Sequence, residues 1–125
     1  MTKNAAIQNF FESFGLPAFP SVSVPTSGSE MPDFPYITYS VSTDSDMAKV
    51  MCDASLWYRT ESWTGINAKT EEISHTVGTA YLLECDSGGI IVRKGSPFAQ
   101  PIGDDTDNMI KRKILTFELT FGTIS

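Results

Sequence analysis

From Lys111 to Thr123 the chain alternates with a period of two. Leu115, Phe117, Leu119 and Phe121 are apolar, and Thr116, Glu118 and Thr120 between them are polar. Such a period places one set on each side of a β-strand, one side buried and the other wetter. The same alternation runs through Ile37, Tyr39 and Val41, and again through Ala48, Val50, Cys52, Ala54, Leu56 and Tyr58. The "TDSD" run between these two segments predicts a turn, and hence a long antiparallel hairpin. "AYLLECDSGGIIVRKG" predicts two further short strands around a turn at Asp86, Ser87, Gly88 and Gly89.

Two segments carry the helical period instead. Ile7, Phe10, Phe11 and Phe14 recur at i, i+3, i+4 and i+7, with Thr2 placed to cap the start and Gly15 before Pro17 to end it. Three phenylalanines on one stripe require something to cover them, so this helix docks. In "SWTGINAKTEEISHTVG", Trp63, Ile66, Ile73 and Val77 share a face, with Ser62 as the N-cap and Gly78 as the stop. The element order is therefore α-β-β-α-β-β-β. It predicts an α+β fold in which a mainly antiparallel sheet of about five strands carries two helices on one face.

The 125 residues fit one domain, 1–125, with enough chain for a core without staples. Two segments break the regular pattern. Residues 15–35 hold five prolines and four serines without a period, which predicts a long arm or loop. Residues 94–110 read as a second loop, projecting between two strands.

Charge narrows the function classes. Nine Lys and Arg against fifteen Asp and Glu give a formal charge of −6, opposite to the basic footprint that grips nucleic-acid backbones. No run reaches the length of a membrane span, and the N-terminal segment is spaced rather than continuously apolar, so a soluble, unexported chain is expected. Cys52 and Cys85 lack ligand spacing and sit in strand-like runs, which predicts reduced thiols in a core and intracellular synthesis.

Little chemistry emerges. His75, the one histidine, falls on a helix flank and has no nucleophile elbow in the sequence to serve. Asp104, Asp105 and Asp107 superficially resemble a calcium loop but lack its spacing and its distal Glu. Trp57, Tyr58 and Trp63 cluster at a strand-to-helix junction, where ordinary core-edge packing competes with an interface hot spot. No catalytic residue, metal ligand or cofactor is expected.

The stretch from Arg93 to Ile114, "RKGSPFAQPIGDDTDNMIKRKI", is different. Basic ends (Arg93, Lys94, Lys111, Arg112, Lys113) flank an acidic middle, and Pro97 and Pro101 restrict the backbone around Phe98. A stiff loop with one aromatic suits an anchor for a protein partner, so these residues are the interface candidates.

Taken in order, "IQNFFESFGLPAF", "FPYITYSV", "SLWYRTESW", "KTEEISHTVG", "KGSPFAQP" and the alternating last strand span nearly the whole chain. In this the sequence resembles the tail-terminator (tail-completion, head–tail joining) proteins of long-tailed bacteriophages and prophages. The resemblance implies a non-enzymatic virion protein forming a ring, commonly hexameric, that caps the tail tube and joins it to the head at the neck. It implies as partners further copies of itself, the tail tube protein and a head-completion or connector protein. DNA would pass through without specific binding, and no membrane is involved. Localisation would be the virion neck, after assembly in the host bacterial cytoplasm. Asp104, Asp105 and Asp107 would then face the channel, where negative charge keeps DNA from sticking. A head-completion or stopper protein is the alternative within the same system; a small α+β hydrolase or ligand-binding domain is the alternative outside it.

Overall fold

A computed structural model describes residues 1–23, 32–42, 49–86, 88–103 and 107–123. It contains two helices, α1 (Lys3–Glu12) and α2 (Thr64–Val77), and six strands. The strands are β1 (Ala18–Pro20), β2 (Tyr36–Ser42), β3 (Lys49–Arg59), β4 (Tyr81–Cys85), β5 (Gly88–Gly103) and β6 (Ile110–Thr123). They form one sheet in the order β1-β2-β3-β6-β5-β4. All pairings are antiparallel except β1 with β2, which is parallel. The fold is α+β, as the periodicities predict, with a sixth strand that they do not.

That sixth strand lies in the segment read as an arm. Ala18, Phe19 and Pro20 pair with Ile37, Thr38 and Tyr39, and a short helical turn, Ser21–Ser23, follows. Three residues ending in proline leave no readable period. The parallel partner is almost twenty positions away, beyond the reach of local pattern. The rest of the segment, residues 24–31, lies outside the described residues, as does the expected "TDSD" turn.

Both helices cover the same side of the sheet, and α1 does so in an unexpected place. It touches β1 and β4, the two opposite edges of the strand order. The sheet must therefore curl until its margins meet one helix. Gln8 of α1 donates to the Ala18 carbonyl at 2.7 Å on one margin, and Phe10 meets the Tyr81 ring at 5.5 Å on the other. Thr2 caps α1 by accepting from the Ala5 amide at 3.1 Å, as expected. Helix α2 lies over β5, β3 and β6 and ends at Gly78, whose φ of +57° favours glycine. The N-cap is Trp63 and not the expected Ser62, and its side chain makes no cap bond; Ser62, one residue earlier, instead accepts from the Thr64 amide at 3.1 Å through its Oγ.

The concave side holds the core. Every residue of the predicted α1 stripe is buried, together with Ile37, Tyr39, Val50, Cys52, Ala54, Leu56, Leu115, Phe117 and Leu119 from the central strands. Phe117 is the hub. Its ring receives those of Phe10, Phe11 and Phe98 at 6.1, 5.7 and 5.5 Å, all near edge-to-face.

The expected projecting loop at 94–110 is corrected by the structure. Residues 94–103 continue β5, which pairs with β6 on both sides of a register shift between Lys94 and Ala99. Gly95 sits at this shift because a Cβ there would lie 2.7 Å from Thr116 Cγ2. Pro97 and Pro101 are tolerated because β4 pairs only with Gly88–Val92. Among the described residues no strand flanks 93–103 on that side, so missing N–H donors leave no ladder broken. The prolines blunt an edge instead of stiffening a projection.

Two outcomes follow from this packing. Phe117→Ala should cost about 3–5 kcal/mol of stability, the range for deleting a fully buried ring, read as a lower urea midpoint with an unchanged slope. Burial, with a smaller contribution from Asp53, pushes the Cys52 thiol up to about 12 from an ordinary 9.0. The raised folded value means that the contribution is complete below pH 9 and is lost as pH rises toward 12. Stability measured across that window should fall less steeply in Cys52→Ala than in the parent.

Candidate interaction surface

Strand parity decides where every candidate side chain goes. In β3, Val50, Cys52, Ala54 and Leu56 enter the core, so Met51, Asp53, Ser55, Trp57 and Arg59 take the convex side. In β6 the core set is Leu115, Phe117 and Leu119, which sends Arg112, Ile114, Thr116 and Glu118 to the convex side. Neither helix covers that side.

The basic cluster Lys111, Arg112, Lys113 is therefore not a cluster in space. Lys111 and Lys113 stand on the helix side. Buried Lys111 donates to the Asn108 carbonyl with its ammonium 5.7 Å from the Trp63 ring, and Lys113 donates to Asn67 Oδ1 of α2 at 2.7 Å. Arg112 alone faces out. Arg93 and Lys94 separate in the same way: Arg93 lies opposite Glu118, while Lys94 reaches Ser74 Oγ of α2 at 3.0 Å and lies 5.8 Å from the Phe98 ring. Phe98 itself, expected to project as an anchor, is half-buried against Phe117. Pro97 is exposed on the unflanked stretch of β5. Asp104 and Asp105 lie outside the described residues. Asp107 pairs with Arg59 and also accepts from the Met109 amide at 2.9 Å.

In place of the expected loop patch, the structure presents a ladder across three strands. The Phe34 ring lies 5.3 Å from Tyr36, and Tyr36 stacks on Trp57 at 6.1 Å with only 16° between planes. The Arg112 guanidinium closes the row 4.6 Å from the Trp57 ring. Register sets this spacing, since Tyr36 is opposite Trp57 and Trp57 opposite Arg112. Two hydrogen bonds lock it from beneath. Trp57 Nε1 donates to Thr38 Oγ1 at 2.9 Å, and Arg112 Nε donates to Ser55 Oγ at 3.1 Å. Tyr36, only 4% exposed, and Thr38 and Ser55 are buried within the ladder although no helix covers them, so the surface it offers is that of the half-buried Phe34, Trp57 and Arg112.

This burial has an electrostatic signature. Desolvation pulls the Arg112 guanidinium below its usual value and raises the Tyr36 phenol. Ile102, opposite Arg112, borders the ladder, and Met51 and Leu82 lie further along the same side; the three are 38%, 42% and 61% exposed. Their registers place all three on the convex side, with all three arginines of the chain, Arg59, Arg93 and Arg112. Arginine, methionine and aromatics with few lysines is the composition of the centre of a protein interface.

The concave side offers less. A cavity of about 310 Å³ opens between α1, the Ser21–Ser23 turn and β2, and among the described residues Tyr39 is the one ionisable side chain on its wall. Among the described residues, no group of three His, Cys, Asp or Glu could hold a metal ion. His75 is exposed on α2. Trp57, Tyr58 and Trp63, adjacent in sequence, are divided by the sheet, with only Trp57 on the convex side. Counting parity from Cys52 would have separated Trp57 from Tyr58. Nothing local indicates that Tyr36 and Arg112 would be its neighbours.

No protein-family model and no curated protein matches the chain.

The stacking is measurable by a double-mutant cycle. Trp57→Leu and Arg112→Ala should show a coupling of about 0.5–2 kcal/mol in thermal or urea unfolding, the range for a partly desolvated cation–π pair. Additive effects would mean that the two side chains do not support each other.

Proposed function

We propose that this protein is a structural subunit that assembles into a ring capping the tail tube and joining it to the head at the neck of a long-tailed phage particle. The observation that carries the assembling role is the convex face. It combines a pre-stacked aromatic–arginine row, exposed apolar residues and strand edges that resist pairing. Hot spots of protein interfaces are enriched in the same residue types, held rigid before binding.

The edges make the case more specific. β1 is three residues long, and the unflanked part of β5 carries two prolines. Both are devices that prevent sheets from growing laterally. Along these two margins association is left to the faces, while β4, five residues without proline, is the remaining edge. The tail neck as the place of action is supported by the sequence resemblance, which runs in order through nearly the whole chain. The acidic balance suits a ring that DNA traverses without adhering, since phosphate binding requires cationic partners.

Sedimentation velocity should find one closed oligomer, hexameric if the resemblance holds, that binds purified tail tube protein and not a portal or adaptor ring. Binding to the portal side instead would make it the stopper of the same connector. A chain that stays monomeric, alone and with both partners, would refute the ring.

A further inference from the structure

In a ring each subunit meets its neighbours through two different surfaces, and these must complement each other. This inference rests on that ring reading and names the two surfaces. The convex ladder is one of them, and it leaves a donor group open. Among the described residues Arg112 makes one hydrogen bond, through Nε, and its terminal NH₂ groups stay accessible to an acceptor from outside. A guanidinium fixed by stacking, partly desolvated and with its fork open, is built to receive a carboxylate in bidentate fashion.

The chain supplies such a carboxylate on its opposite side. Helix α2 buries Ile66, Thr70, Ile73 and Val77. At 100° per residue the stripe diametrically opposite is Thr64, Ala68, Glu71 and His75, all exposed. Glu71 is the one acid on that stripe. The nearby pair of Lys69 with Glu72 leaves it without an ion-pair partner among the described residues. Ala68 and Thr64 keep one flank of Glu71 low, so a flat aromatic row can approach the helix closely. The other acids without an ion pair among the described residues fit less well. Asp53 and Glu84 share the convex side with Arg112, Asp33 lies just before Phe34 of the ladder, Glu61 precedes α2, and Glu12 closes α1 at its C-terminal end.

We propose that the convex face of one copy docks on the outer face of α2 in the next, with Arg112 of one copy receiving Glu71 of its neighbour over a contact centred on Trp57. The contact is head-to-tail, so each copy keeps one ladder and one helix free for the next. Closure or continued growth then depends only on the rotation between neighbours.

Charge exchange tests this. Arg112→Glu and Glu71→Arg should each weaken assembly roughly tenfold or more, by sedimentation equilibrium, and the double variant should restore it to within about threefold. Thermal melting of each variant accompanies the measurement. Should Arg112→Glu itself melt early, an equimolar mixture of Arg112→Cys and Glu71→Cys chains, both in a Cys85→Ser background, replaces it. Oxidation should then yield a cross-linked heterodimer across the contact. A parent protein that assembles while the double variant stays dissociated, or cysteines that fail to cross-link in the assembled mixture, would overturn the proposed contact and leave the ring standing. A parent that never assembles would overturn the ring itself.

Discussion

The curl of the sheet around α1 is the constraint on which the rest depends. A six-stranded sheet with a single helical layer would ordinarily leave two loose margins and a core open at both sides. Here Phe10, Phe11 and Phe14 require so much apolar cover that both margins are drawn in to meet them, Ala18 from one edge and Tyr81 from the other. The core is thereby enclosed by one curved surface and two helices. The same curl fixes the opposite side as a convex face that neither helix covers. Internal packing and external availability are thus two results of one geometry.

Much of this was legible because it is periodic. The α1 stripe, its Thr2 cap, the β2–β3 hairpin and β6 follow from spacings of 3.6 or 2, and all appear as expected. What failed to show was whatever depends on distant partners. The pairing of β1 is parallel and short, and its sequence is punctuated by proline, so local pattern argues against a strand that the fold nevertheless forms. Gly95, Pro97 and Pro101 gave β5 the composition of a loop. Only the knowledge that β4 stops at Val92 explains why a strand accepts them.

The candidate site was hidden in the sequence for a related reason. Lys111, Arg112 and Lys113 are consecutive and alike in charge, yet the strand divides them between two faces. In a strand, adjacent residues are the ones that cannot share a face. Two lysines turned to the helix side, Lys111 to the Asn108 carbonyl and Lys113 to Asn67 of α2, and one arginine turned outward onto Trp57. The difference between the residue types is physical as well as positional. Only the planar guanidinium can lie flat on an indole while keeping a fork for something else.

The strand order also has a temporal side. β6 is the last strand in chain order, yet it lies at the centre of the sheet, between β3 and β5. Until it exists, the chain consists of a β1–β2–β3 piece and a β4–β5 piece with no direct pairing between them. Each would present a long unpaired edge and half of an apolar face. On a ribosome both must wait, exposed, for the final segment to insert and join them. The molecule's solubility while it is being made is therefore a separate matter from its solubility when finished, and the short, proline-blunted margins of the completed sheet protect only the second.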